Sequence, residues 1–244
     1  MPGGYVDLHH HLLHGMDDGP QSFRTTARML SMAAEAGVTH IAATPHIYLD
    51  AKPHDAARYK AHMEMAQRHI QAHDLGITLH TGAEIYYSSL VPALLQQNRL
   101  PLLGDSWHVL VEFHPHESYD VIRHAAQMIG NAGRSMLLAH AERYRCLRLG
   151  RRLEELRHDL HVHIQVNCST LLGSRLLDRS WLNRIMREEL VDVVASDAHS
   201  PDIRPCRMGE CAALIERTWG KGAMQRLCIE NPYAILTERQ AFRL

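Results

Sequence analysis

Residues 22–46 read SFRTTARMLSMAAEAGVTHIAATPH, and one full cycle of the pattern that sets the fold lies inside them. Phe23, Ala27, Leu30 and Ala34 recur at the three-to-four spacing that lines one face of a helix, which predicts a helix from about Ser22 to Ala36. Gly37 stops it, because a residue without Cβ turns readily into the left-handed conformation that ends helices. Val38 to Ala43 is then a short, mainly apolar run suited to a strand covered on both faces, and His46 follows it in Ala-Thr-Pro-His.

The same cycle extends in both directions. Tyr5 to His9 is a strand candidate, followed by a Gly-Met-Asp-Asp-Gly-Pro turn at 15–20. A second helix is expected from about Asp55 to Asp74, with Tyr59, Met63, Ala66 and Ile70 on its apolar face and Leu75-Gly76 at its end. Further strands are expected at Ile77 to Ala83, His108 to Phe113, Ser135 to Ala139, Val162 to Val166 and Val191 to Ala195. Strands alternating with helices predict a parallel sheet covered by helices. Seven such units in 244 residues favour a closed or nearly closed α/β barrel, one domain over 1–244.

Composition narrows the functional classes. With 45% hydrophobic and 22% charged residues, the chain is an ordinary soluble globular protein. Lys and Arg number 26 against 27 Asp and Glu, with no basic run, so a nucleic-acid partner is not expected. No signal-like N-terminus and no bilayer-length apolar stretch occur, so membrane insertion is not expected and the cytoplasm is the expected compartment. Cys146, Cys168, Cys206, Cys211 and Cys228 are odd in number and lack paired CxxC spacing, and are expected to be reduced structural thiols. Histidine is abundant at 20 residues, although His54, His62, His69, His73 and His158 lie in polar surroundings and are expected to be solvated.

In a βα barrel, reactive residues come from the C-terminal ends of the strands. His9 and His11 end the first strand, His46 follows the second, Glu84 ends the third, Glu112 the fourth, His140 the fifth, and Asp197 and His199 the seventh. One polar residue at a strand end is unremarkable in itself, but eight converging on one mouth form a donor set for zinc, manganese or iron, and a multinuclear metal site is expected. Residues two apart on a strand face the same way, so His9 and His11 can grip one ion while His10 faces elsewhere. His161 and His163 share that spacing but begin a strand, and are expected to be structural or solvated. His114 and His116 follow the fourth strand and are expected in a loop. Arg143 and Arg204 should overhang the mouth, where a guanidinium fork matches phosphoryl oxygens. The alternative is that they pair with Glu142 or Asp202.

These blocks occur in order with Met16-Asp17-Asp18-Gly19-Pro20, Gly82-Ala83-Glu84-Ile85-Tyr86-Tyr87, Ala139-His140-Ala141-Glu142-Arg143-Tyr144, Gln165-Val166-Asn167 and Ala195-Ser196-Asp197-Ala198-His199. Together they resemble the polymerase-and-histidinol-phosphatase superfamily, and within it the bacterial protein-tyrosine phosphatases that act on tyrosine autokinases controlling capsule and exopolysaccharide synthesis. The resemblance implies a distorted (β/α)7 TIM-like barrel with three divalent cations, manganese first and iron or zinc as alternatives. It implies that His9, His11, Glu84 and Asp197 hold one cation, that Glu84 bridges to a second held also by Glu112 and His140, and that Asp18, His46 and His199 hold the third. Arg143 and Arg204 would clamp the phosphate of a phosphotyrosine protein, the partner being a bacterial tyrosine kinase. Two departures bear on the rim: His10 stands where a small residue is usual, and Ile47 where a polar or basic one is.

The expected reaction is hydrolysis by metal-activated water without a protein nucleophile. A small-molecule phosphatase of the histidinol-phosphate kind would share every ligand and differ only at the rim. A non-catalytic kinase-binding regulator would show a damaged ligand set, and all the ligands are present. A barrel hydrolase of C–N bonds would want a lysine at a strand end, and none occurs. The oligomeric state has no signature in the sequence.

Overall fold

The structure, a computed structural model, describes residues 2–49, 55–173 and 176–238, so that His54 lies outside the described residues. The chain alternates strands and helices in the order β1 (Tyr5–His10), α1 (Phe23–Glu35), β2 (Val38–Ala43), β3 (His46–Ile47), α2 (Ala56–Ala72), β4 (Thr78–Thr81), β5 (Glu84–Tyr86), α3 (Val91–Gln96), β6 (His108–Glu112), α4 (Tyr119–Asn131) and β7 (Ser135–Leu138). It continues through α5 (Arg152–His158), β8 (His163–Asn167), α6 (Cys168–Gly173), α7 (Leu176–Arg187), β9 (Val193–Ala195), α8 (Met208–Trp219), α9 (Lys221–Gln225) and α10 (Asn231–Thr237). Residues Arg226–Glu230 form a wider π-type turn between the last two helices.

All pairings between these strands are parallel, in the orders β1-β2-β4 and β3-β5-β6-β7-β8-β9. The chain passes from the first group to the second twice, between β2 and β3 and between β4 and β5, so the groups are successive parts of one curled parallel sheet. At the far edge, Asp197 N donates to His9 O and His11 N to Ala198 O, each at 2.9 Å, laying the exit of β9 on the exit of β1.

The sheet is broken at two places here. Pro45 has no amide to donate to a ladder, which parts β2 from β3. The run expected from Ile77 to Ala83 is β4 alone, and Glu84 opens β5 instead of closing the preceding strand. At the break the chains approach closely: a Cβ on Gly82 would stand 2.9 Å from Thr44 Cγ2, so only glycine fits without displacement. Tyr59 of α2 serves both breaks, its hydroxyl donating to Ala43 O at 3.2 Å and accepting from Gly82 N at 2.9 Å.

Helix α1 is capped by Ser22, whose oxygen accepts from Thr25 N, and Gly37 follows it at φ +81. Its buried face is Thr26, Met29, Leu30 and Ala33, about one residue round from the stripe expected through Phe23, Ala27, Leu30 and Ala34. A tertiary hydrogen bond favours that rotation, with Thr26 Oγ1 donating to Leu12 O at 2.7 Å. Inside the curl, Val6, Leu8, Ala42, Leu110, Leu137 and Val193 pack together with Ile235 and Leu236 of α10. A larger apolar layer lies between the sheet and its helices. The polar residues of the interior are therefore left to the ends where the strands exit. Among the described residues, no helix is long and apolar enough to cross a membrane.

Candidate metal centre

The pairing of β1 with β2 shifts register between Asp7 and His10, and beyond the shift His9 and His11 face the same way. Their Nε2 atoms are 3.1 Å apart. Glu84, at the start of β5, sets Oε2 3.0 Å from His9 Nε2 and 3.1 Å from His11 Nε2, and Asp197 Oδ1 lies 3.4 Å and 3.7 Å from the same atoms. The other oxygen of Glu84 is 2.8 Å from His140 Nε2, which also lies 3.7 Å from Glu112 Oε2. Asp18 Oδ1 lies 3.3 Å from His199 Nε2 and 3.6 Å from His46 Nε2.

All nine residues expected as ligands are thus brought together, in overlapping groups. His9, His11, Glu84 and Asp197 form one set of mutually close donors, and His11, Asp18, His46 and His199 another. His46 does more than the expected division gave it: its Nε2 faces Asp18, while its Nδ1 is 3.1 Å from Glu84 Oε2 and 2.9 Å from Glu112 Oε1.

These donors suit divalent cations. His46 Nδ1, Glu112 Oε1 and His199 Nε2 are buried and make no hydrogen bond, an arrangement costly for protein groups left to themselves. Nitrogen facing nitrogen across 3.1 Å, with carboxylates interleaved, directs many lone pairs at few points. The set is nitrogen and oxygen throughout, the preference of manganese, iron and zinc at hydrolytic sites.

Surrounding residues orient the expected ligands. His11 Nδ1 is 2.6 Å from Asp17 Oδ2, His9 Nδ1 is 3.2 Å from Gln165 Oε1, and His199 Nδ1 is 3.0 Å from Asp197 O, which leaves each Nε2 for the centre. Asp17 Oδ2 also accepts from His46 N at 3.0 Å, tying the exit of β1 to the start of β3. Gln165 Oε1 accepts from His140 N, and Gln165 Nε2 donates to Asn167 Oδ1, whose own amide donates to Asp197 Oδ2 at 2.6 Å. Sequence reasoning assigned no role to Asp17, Gln165 or Asn167. The available signal was β8 itself, the one expected strand end without a ligand, where two amides alternate with apolar residues.

Both arginines reach the centre. Arg143 and Arg204 donate to Asp197 Oδ2 at 2.8 and 2.7 Å, and their side chains remain 41% and 38% exposed. The alternative partners are engaged elsewhere, Asp202 by Arg28 and Glu142 by Asn167 N and Thr170. Two of the expected ligands stand on left-handed backbone, His140 at φ +34 and Asp197 at φ +53. At the rim, the Tyr48 ring lies 5.3 Å from His46 and 5.5 Å from Tyr86.

Charge is distributed accordingly. Burial opposes ionisation of Glu84 and Asp197, but the neighbouring imidazoles, joined by Arg143 at Asp197, hold both carboxyls below the usual range. Burial also works against a proton on His11, yet hydrogen bonds to Asp17 and Glu84 raise its pKa to about 10. Asp17, despite burial, is drawn down to about 2 by His11. His199 is pushed down to about 4 by burial and then by His11.

Other expected candidates lie apart. His114 and His116 are exposed on the loop after β6 with their rings 5.5 Å apart. His163 opens β8, its ring 5.0 Å from His108 at the entrance of β6, and His161 is exposed just before it. His10 is fully buried but turned away from the mouth, near Asp7 and Cys206. No cysteine is placed as a phosphatase nucleophile. The spacing Cys-x5-Arg occurs twice, at Cys146–Arg152 and Cys211–Arg217. Cys211 is buried within α8, and burial raises the Cys146 thiol, the opposite of what a thiolate needs.

A family profile described as "Capsular polysaccharide synthesis, CpsB/CapC" matches residues 5–237. The Tyrosine-protein phosphatase CpsB of Streptococcus pneumoniae is 29% identical over 245 residues, covering 96% of this chain and 99% of its own. The Tyrosine-protein phosphatase YwqE of Bacillus subtilis is 26% identical over 243 residues, covering 98% and 94%. A crystal structure from a study of YwqE and CpsB, described as unique metal-dependent tyrosine phosphatases, superposes with a TM-score of 0.85 at 24% identity, over 98% of this chain and 97% of that one.

Proposed function

The chain belongs to the CpsB/CapC family of capsular polysaccharide synthesis proteins, and from that premise we propose that it hydrolyses phosphotyrosine on protein substrates at a metal centre. The observation that carries this reading is the convergence of nine nitrogen and oxygen donor residues at one mouth, with two arginines held on the carboxylate of one of them, Asp197. We read the overlapping donor groups as places for three divalent cations, manganese foremost. The scaffold is read as one domain over 1–244 and as a distorted (β/α)7 barrel, with the contact between β9 and β1 as its seam.

Bound at these donors, the cations supply Lewis acidity that activates water and offsets phosphoryl charge. The chain's own residues do the rest. Arg143 and Arg204, anchored on Asp197 yet partly open to solvent, offer forked donors to the phosphoryl oxygens and hold the group in line with the ligand cluster. Asn167 shares the load on Asp197 Oδ2, so the carboxylate keeps its orientation when the arginines turn to substrate. Tyr48 and Tyr86 offer ring faces beside His46, where the phenyl ring of phosphotyrosine would lie. The phenol leaving group has a pKa of about 10, so its departure needs little protonation and no side chain is required as an acid.

The partner we propose is a bacterial tyrosine autokinase regulating capsule or exopolysaccharide synthesis, met in the cytoplasm. The deciding experiment measures bound metal and turnover on a phosphotyrosine peptide, with histidinol phosphate in parallel, before and after chelation and in His140→Ala. Turnover should vanish with the metal, fall in the variant and favour the peptide. Unchanged turnover after full metal removal overturns the mechanism, and preference for histidinol phosphate overturns the substrate.

A further inference from the structure

We propose that Asp7, His10 and Cys206 form a second, buried cation site of zinc type, behind β1 and separate from the phosphatase mouth. His10 is fully buried, and neither of its ring nitrogens has a hydrogen-bond partner. A neutral imidazole carries one donor and one acceptor, and leaving each unpaired in the interior costs about 1–3 kcal/mol. The nearby groups are metal donors: a ring nitrogen of His10, a carboxylate oxygen of Asp7 and Cys206 Sγ all lie within 4.8 Å of one another.

The carboxylate is already oriented. Asp7 Oδ1 accepts from Ser196 N at 2.9 Å and Oδ2 from Ser196 Oγ at 2.5 Å, while Cys206 Sγ donates to Oδ2 at 3.9 Å. Ser196 Oγ is held in turn by Ala198 N at 3.1 Å. One nitrogen, one oxygen and one sulfur make a borderline donor set, which zinc favours over manganese or magnesium. The charges also balance. A divalent cation beside one carboxylate and one thiolate is neutral overall, the condition under which a closed interior tolerates ions. On binding, the Cys206 thiol releases its proton to solvent and dative bonds form to sulfur, nitrogen and oxygen, with no change in oxidation state.

The site has a structural consequence for its neighbours. His10 lies between His9 and His11, at the register shift of β1. An ion gripping His10 from behind fixes the shift that turns the flanking histidines into the mouth. None of this depends on which phosphoester the mouth hydrolyses.

The test uses sulfur as a reporter, because the mouth offers only nitrogen and oxygen. The full-length reduced protein is stripped of metal and titrated with cobalt(II). The wild type should develop a thiolate-to-cobalt charge-transfer band in the near ultraviolet. It should also bind one equivalent more than His10→Ser or Cys206→Ser, each of which loses the band, while Cys146→Ser keeps it. No band in the saturated wild type overturns the proposal, as does a band that survives in either His10→Ser or Cys206→Ser. X-ray absorption of the zinc-loaded wild type needs no variant to fold: a sulfur shell at about 2.3 Å supports the site, and its absence overturns it.

Discussion

Asp197 Oδ2 accepts from Asn167, Arg143 and Arg204 while Oδ1 faces His9 and His11, so one carboxylate joins the proposed ligand set to the arginines proposed to hold phosphate. Removing one arginine should therefore act on the transition state more than on the fold. Arg204→Ala is expected to lower kcat by roughly 10²–10³-fold with bound metal unchanged, read from steady-state kinetics and metal analysis. The His11–Asp17 pair gives a pH signature. His11, raised from 6.5 to about 10, contributes stability that is full below about 6.5 and lost as pH rises through about 10. Asp17, lowered from 3.8 to about 2, contributes above about 3.8 and loses its share as pH falls through about 2. Metal-stripped protein should gain most from this pair between about pH 4 and 6.5. Cation binding, which needs the His11 lone pair, should release a proton and strengthen as pH rises. Calorimetry in buffers of different ionisation enthalpy measures that release. At this scale the eight candidates at strand ends were legible because each follows an apolar run, whereas Asp18, in the turn after β1, came only with the family resemblance. Asp17 and Gln165 were not legible, since what they do depends on partners 25 to 156 residues away.

Among the elements, the positions of most strands could be read from apolar runs, and the breaks could not. Val38–Ala43 lies where its composition put it, whereas the run from Ile77 divides because Gly82 must pass close to Thr44. The phase of α1 escaped for a similar reason. Its stripe counts apolar side chains, and the hydroxyl of Thr26 turned inward to a carbonyl that periodicity does not see. Tyr59 was foreseen as an apolar contact but also carries the polar repair of both breaks. Tyr59→Phe keeps the ring and leaves Gly82 N without that acceptor. It should cost about 1–3 kcal/mol in urea unfolding while metal stoichiometry stays at the wild-type value.

For the whole molecule, alternation of strands and helices made the curled parallel sheet legible, but how its edges meet rests on a few hydrogen bonds around Asp197 and Ala198. Because the proposed ligands come from β1 and the loop after it, from β3, β5 and β6, and from the segments after β7 and β9, cations bound there would cross-link most of the sheet. At one hundred times its dissociation constant, a single such cation stabilises the folded state by about 2.7 kcal/mol. Scanning calorimetry should accordingly show a Tm that rises with manganese concentration and falls on chelation. The meeting of the first strand with the last also bears on how the enzyme is made. A nascent chain presents His9 and His11 well before Asp197 and Arg204, and the cap of Asp7 by Ser196 joins residues 189 apart. A cation held by Asp197 or His199 therefore cannot be fully enclosed until the segment after β9 has been made, so its loading follows synthesis of that segment.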